Sequence, residues 1–336
     1  MNSDQKKKPQ SGTKAPRPQR NKEKKKEKKK GDAIVLQPTV VVLATYILLL
    51  LSKVIDMTLL NRENEYFSVV ILQMMIFLLP GAIWARLWGD GYIKRLRISA
   101  FRPGAIPIMI AAAFMMISGG LLISLLFGGL DSLSGSFTLY DTFVSKDNGT
   151  VPTKLYLILA YAIIPAICEE FIFRGILCHE YERGGVMRAI IFSSLFFGML
   201  HFDIVNLPVY IFAGAILAMT LYATRSLFGP MIVHFLYNLF GLFGQPYMSS
   251  LYNLTGSTKF FVFMLTTVFL ISAALFCKEA ARLYKSYLYR GLNADYRKPV
   301  IKDSAEFRDS YLDVVKSPSA IACAALYIIA LIISWL

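Results

Sequence analysis

The sequence predicts an all-α, polytopic transmembrane helix bundle of about eight to nine spans, and three observations carry that expectation. Hydrophobic residues make up 55% of the 336, with a mean hydropathy of +0.51. Charged residues make up only 17%, against roughly 25% in an ordinary globular chain. They are also bunched, which leaves apolar stretches as long as a bilayer core demands.

Residues 1–32 form a tail in which Lys and Arg outnumber Asp and Glu thirteen to four. Such a stretch cannot bury enough apolar surface to offset the entropy of ordering, so a disordered cytoplasmic tail is expected. A secretory signal is not: the basic stretch is too long, and no small-x-small cleavage site follows the first apolar run. The tail suits anionic lipid head groups, and ribosomal RNA is a second polyanion it would fit. Its plainest use is as a topological anchor. Anionic lipid is the partner we expect for it, and nucleic acid is not.

Nine apolar segments follow, at 34–54, 66–88, 104–128, 153–179, 187–202, 206–224, 228–244, 258–278 and 317–336. The fifth and seventh are short for a full crossing. The loops test the count, because basic residues collect on the cytoplasmic side. Lys94, Arg95, Arg97 and Arg102 sit between the second and third segments. Arg183 and Arg188 sit between the fourth and fifth, and Arg225 precedes the seventh. The intervening loops lack this excess: 129–152 is acidic, and 245–257 carries no charge. The alternation puts the N-terminus in the cytoplasm of a multi-pass cell-membrane protein. Segment 279–298 mixes Ala, Leu and Tyr with Lys and Arg at helical spacing, which suits an interfacial helix. The chain thus divides into the tail at 1–32, N-terminal transmembrane helices at 33–152, a core at 153–244, and C-terminal helices at 245–336.

Cys168, Cys178, Cys277 and Cys323 show neither metal-ligand spacing nor an extracellular cluster. They read as small buried apolar residues.

Ionisable residues inside a span are costly, so they point to function. The fourth segment carries Glu169 and Glu170 side by side, with Arg174 one turn on. Glu170 and Arg174 share a helix face and can pair. Glu169 then points about 100° away, free for other work. His201 closes the fifth segment, one turn after Phe197, which walls the same face. His234 and Asn238 lie four apart in the seventh and aim two polar groups at one point. Each has a plainer reading as a helix–helix tether. Convergence of Glu169, His201, His234 and Asn238 from three helices favours a site. His179, beside Glu180 and Glu182, and Asp203, at a loop edge, are expected to be solvated.

At these residues the sequence resembles the CAAX protease and bacteriocin-processing (CPBP, or Abi) family. The EExxxR pattern reads Glu169-Glu170-Phe171-Ile172-Phe173-Arg174, FxxxH reads Phe197 to His201, and HxxxN reads His234 to Asn238. Asn206, Phe212, Gly214, Ala218, Ser226, Leu227 and Pro230 also fall at family-like offsets. The resemblance covers about residues 153–244. It implies an intramembrane endopeptidase related to the type II CAAX prenyl endopeptidase, acting on a membrane-associated or lipidated protein or peptide. It implies that Glu169 and His201 activate a water, and that His234 and Asn238 hold the oxyanion. Glu170, Arg174 and Phe197 are then orienting residues. A metal reading stays open, because Glu169, His201 and His234 would make a three-ligand Zn2+ site. The helical HExxH zinc signature is absent, and a metal-free site is preferred. A non-catalytic scaffold, or an immunity or regulatory protein, is the alternative.

One depth argument stays unresolved. Glu169 and His201 lie at matched distances from the Gly184-Gly185 turn. His234 is only nine residues past Arg225. Either the hairpin protrudes, or the sixth segment is not a plain crossing.

Overall fold

A computed structural model describes residues 37–54, 65–129, 153–292 and 304–335. The basic tail and most of the acidic 129–152 loop lie outside them. Among the described residues every regular element is helical, as the sequence predicts. In chain order these are α1 (Thr39–Val54), α2 (Glu65–Leu87), α3 (Ile106–Gly128), α4 (Lys154–Gly184) and α5 (Val186–Met199). They continue as α6 (Leu207–Thr224), α7 (Phe228–Phe243), α8 (Gln245–Thr255), α9 (Thr258–Tyr289), α10 (Ser304–Val315) and α11 (Pro318–Trp335).

Each of the nine apolar segments is helical, but they differ in reach. Among the described residues α2, α3, α4, α6 and α9 are long and apolar enough to cross a membrane. The pair α10 and α11, bent by 52°, makes a sixth candidate. Helices α1, α5 and α7 are shorter apolar helices. At 1.5 Å per residue, α5 and α7 extend about 21 and 24 Å, short of a hydrocarbon core of roughly 30 Å. The expected interfacial helix at 279–298 is not a separate element. Its first part continues α9, which runs unbroken for 32 residues. No proline or glycine interrupts that stretch, so nothing stops the winding where the hydropathy changes.

Helix α4 is central, with α2, α5 and α7 packed around it. It is not wound uniformly: Leu159–Ile163 and Phe171–Leu177 are π-helical, on either side of the α-helical Ile164–Glu170. Wide turns of this kind occur most often at functional positions. Helix α3 packs along α9 and against α6 and α7, closing the other side.

Small residues bring α5 and α6 together. A Cβ on Gly214 would sit 2.9 Å from the Ser194 Cα, and one on Gly198 would sit 2.8 Å from Ile211 Cγ1. Neither gap accommodates a methyl group, and such close backbone approach is how helices associate in lipid.

The α4 end is clamped by the segment that follows α2. Arg97 pairs with Glu182 at 2.8 Å, and the Tyr92 hydroxyl donates to Glu180 Oε1 at 2.9 Å. Trp84 Nε1 donates in turn to the Tyr92 oxygen, and Arg183 reaches Glu180 at 2.9 Å. Burial, and then the negative Glu180 beside it, push the Tyr92 phenol up. It therefore stays protonated and keeps donating. His179, expected to be solvated, is buried here with Glu180 and Glu182, edge-on to Tyr92 at 5.7 Å. The clamp covers a helix end that hydropathy alone leaves open to water.

One smaller expectation gains detail and another changes. Asp203 is not idle: its carboxylate accepts from the Val205 and Asn206 amides and from the Asn206 side chain, forming the turn into α6. All four cysteines are free, but Cys277 is exposed on α9, while the other three are buried.

Candidate active site

The site is assembled on α4, α5, α6 and α7, and its centre is Glu170. That carboxylate is wholly buried. Its Oε1 accepts from Arg174 Nη1 at 2.7 Å and from His234 Nδ1 at 2.8 Å. Arg174 Nη2 donates to the Gly214 carbonyl at 3.0 Å, so the ion pair ties α4 to α6 as well as to α7. The Arg174 guanidinium also lies 4.4 Å from the centre of the Phe197 ring. A buried ion pair loses several kcal/mol of hydration per ion, and only such a full set of partners offsets it.

Glu170 fixes the His234 ring. A carboxylate already paired with arginine accepts hydrogen bonds, so the His234 proton belongs on Nδ1. The other nitrogen, Nε2, faces Glu169 Oε2 at 4.0 Å. Both neighbouring glutamates therefore end on one imidazole, one at each nitrogen. The 100° separation drawn from an ideal wheel does not carry Glu169 away from its neighbour's partner. Glu169 Oε2 is buried with no hydrogen-bond partner, an unusual position for a carboxylate oxygen.

His201 lies in the turn that ends α5. Its Nδ1 is 3.0 Å from the Phe197 carbonyl, which can only accept, so this proton too sits on Nδ1. Its ring stacks on Tyr210 of α6, with centroids 3.8 Å apart and planes 11° from parallel. Phe197 lies between the two histidines, edge-to-face with His201 at 5.2 Å and with His234 at 5.7 Å. The two histidines thus flank one aromatic ring, with Glu169 beside His234. Asn238 lies one turn beyond His234 on α7, half-buried, and makes no hydrogen bond among the described residues.

Three contributors went unrecognised as such in the sequence. Tyr210 carries no motif spacing, and only its stacking on His201 reveals it. Gly214 matched by offset, but its role as acceptor for Arg174 needs the fold. Tyr46 of α1 is fully buried and donates to the Phe196 carbonyl at 2.5 Å, bracing the turn that presents His201. No sequence signal links it to a residue 150 positions away.

Within the bundle the two segments meet in register. Leu227, at the start of α7, packs over Gly175, and a Cβ there would meet Leu227 Cδ2 at 3.6 Å. Gly175 lies nine residues before Gly184, about 13 Å along a helix. Helix α7 thus starts well inside the level reached by the tip of α4, and His234 meets Glu170 in register.

Among the described residues no three of His, Cys, Asp and Glu are grouped so as to hold one ion. His234 and His201 each have Nδ1 committed, which leaves Nε2 as the open nitrogen of both rings, and that of His234 faces one carboxylate oxygen at 4.0 Å.

No curated protein and no solved structure matches the chain. Residues 151–240 match the family model for type II CAAX prenyl endopeptidase Rce1-like proteins, a match that spans all three motifs and supports the resemblance to the CPBP/CAAX proteases.

Proposed function

We propose that the chain is an intramembrane endopeptidase in which Glu169 is the base and a relay running Arg174–Glu170–His234 prepares the site. The observation that carries this reading is the Glu170 Oε1 atom, bonded to both Arg174 and His234. A positioned histidine backed by a buried carboxylate recurs wherever a proton must be handled in a fixed direction.

Charge balance supports the assignment. Arg174 contributes one positive charge and the two glutamates two negative ones. A proton on His234 Nε2 makes the group neutral and turns that nitrogen into a donor, while Glu169 stays ionised as a base. A water held between Glu169 and the His201 Nε2 lone pair gives its proton to Glu169 as its oxygen bonds to the scissile carbonyl carbon. The carbonyl π pair moves to oxygen, where His234 Nε2–H and the Asn238 amide donate to it. When the C–N bond breaks, its electron pair leaves on nitrogen, which takes the proton back from Glu169. The products are a carboxylic acid and an amine, with Glu169 ionised again. No metal enters these steps.

The first probe is a prenylated CAAX peptide, taken from the family description, with its unprenylated counterpart alongside. Protein in nanodiscs is expected to cleave one of them, and Glu169→Gln is expected to abolish cleavage. His201→Ala should do the same while leaving insertion intact. Full activity in either variant would sink the assignment. The second reading, a non-catalytic scaffold, is favoured by the tether of Glu170, Arg174 and His234 across three helices. Under that reading Glu169→Gln is silent. A cytoplasmic N-terminus, with the basic tail against anionic lipid, completes the proposal.

A further inference from the structure

Resting on the endopeptidase reading above, we propose that Tyr210 is a positioning residue of the reaction. Its ring holds the His201 imidazole in the plane that aims Nε2 at the attacking water.

The two histidines of the site are held in different ways. His234 is oriented by a buried carboxylate, Glu170, at 2.8 Å. His201 has no carboxylate at either ring nitrogen among the described residues. Asp203, two residues on, is engaged by the Val205 and Asn206 amides and by the Asn206 side chain. A histidine that handles a proton in a fixed direction needs a further group to orient its ring. At His201 two contacts stand in for the missing acid. Nδ1 donates to the Phe197 carbonyl at 3.0 Å, which sets which way round the ring lies. Tyr210 covers one face, with centroids 3.8 Å apart and planes 11° from parallel, which sets the plane. His201 lies just past the end of α5, in a turn, so no continuing helix restrains it.

The chain is bent so that these two rings meet. Phe202, directly after His201, adopts φ 50°, in the left-handed region that is costly for a bulky residue. Its ring is anchored between Tyr46 of α1 and Tyr327 of α11, at centroid distances of 5.4 and 6.1 Å. The Asp203 turn follows, and the Tyr210 amide donates to the Asn206 carbonyl at 3.1 Å in the first turn of α6. A strained reversal held from three helices therefore lays residue 210 over residue 201, and strain of this kind collects at functional positions. The Tyr210 hydroxyl makes no hydrogen bond among the described residues, so the side chain contributes its face. Glu169 acts electrostatically on the same phenol, so the plate borders the base as well as the histidine.

The test separates the ring's position from turnover. The chain has three histidines, His179, His201 and His234, so the full chain in detergent, isotope-labelled at histidine Cε1, gives three ring signals. A proton over the face of an aromatic ring is shielded. The signal that disappears in His201→Ala should be shielded in the parent, lose that shift in Tyr210→Leu and keep it in Tyr210→Phe. In nanodiscs, Tyr210→Leu should lower kcat about two- to tenfold, the contribution of one aromatic stack, with KM unchanged. Tyr210→Phe should recover that loss, because it restores the plate without the hydroxyl. Tyr210→Met, which keeps bulk on a flexible stem, replaces the leucine variant if that fails to insert. A His201 signal unmoved in Tyr210→Leu, a loss carried by KM, or an equal loss in Tyr210→Phe overturns the inference and leaves the endopeptidase reading standing. A parent that cleaves neither peptide defeats that reading, and the inference falls with it.

Discussion

Replacing Glu170 by glutamine separates the brace from the base. The amide keeps the shape of the side chain, and its oxygen can still accept from Arg174 and His234. What it loses is the charge. A charge-assisted bond contributes roughly 1.5–3 kcal/mol and a neutral one roughly 0.5–1.5. The two bonds, at 2.7 and 2.8 Å, therefore lose about 2 kcal/mol together. Arg174 is left buried with only the Gly214 carbonyl and the Phe197 ring. Breaking a buried pair outright costs roughly 3–5 kcal/mol, so the expected loss lies at about 2–4. In a chain of this size that lowers the melting midpoint by about 3–6 °C. The assay is thermal unfolding in detergent, followed by tryptophan fluorescence, beside Glu169→Gln. Glu169 Oε2 has no hydrogen-bond partner to lose, so that variant should melt within about 2 °C of the parent. An unchanged midpoint in Glu170→Gln with a lowered one in Glu169→Gln would refute the division of roles.

Three further perturbations test the support around the site. Gly214→Ala drives a methyl to within 2.9 Å of the Ser194 Cα. It should destabilise by about 1–3 kcal/mol and cut cleavage, because Gly214 also holds Arg174; a stable, active variant would remove α5–α6 contact as a determinant. Tyr46→Phe leaves the Phe196 carbonyl without its donor, so a loss of about 1–2 kcal/mol is expected, with a larger effect on turnover than on substrate KM. Exhaustive chelation should leave cleavage unchanged, and a loss that only added Zn2+ restores would contradict the metal-free steps.

Composition and hydropathy reach the helical architecture because a bilayer imposes length and polarity on any chain that crosses it. Most segment boundaries follow for the same reason, and the motifs single out Glu170, Arg174, Phe197, His201 and His234, which do meet. The sequence is silent where geometry depends on winding or on distant chain. Placing Glu169 and Glu170 on separate faces assumes ideal turns, whereas α4 turns π-helical at Phe171, directly after the pair. His179 reads as solvated because the clamp that buries it comes from Tyr92, some 90 positions earlier. The end of the apolar run at 278 suggests a helix boundary, but hydropathy reports the surroundings of a helix and not its length. Tyr210 and Tyr46 act through contacts that no spacing rule encodes.

The shortness of α5 and α7 bears on the lipid as much as on the protein. These two helices deliver His201 and His234, and neither matches the full hydrocarbon thickness. Where a helix falls short of the hydrocarbon thickness, thinning of the bilayer costs fractions of a kcal/mol per ångström of mismatch. Such thinning would bring head groups and water closer to the histidines than the middle of a bilayer does. A hydrolase needs that supply, since each turnover consumes a water that hydrocarbon does not hold. Turnover should then vary with acyl-chain length, rising in thin bilayers and falling in thick ones, with no change in the amino-acid sequence at all.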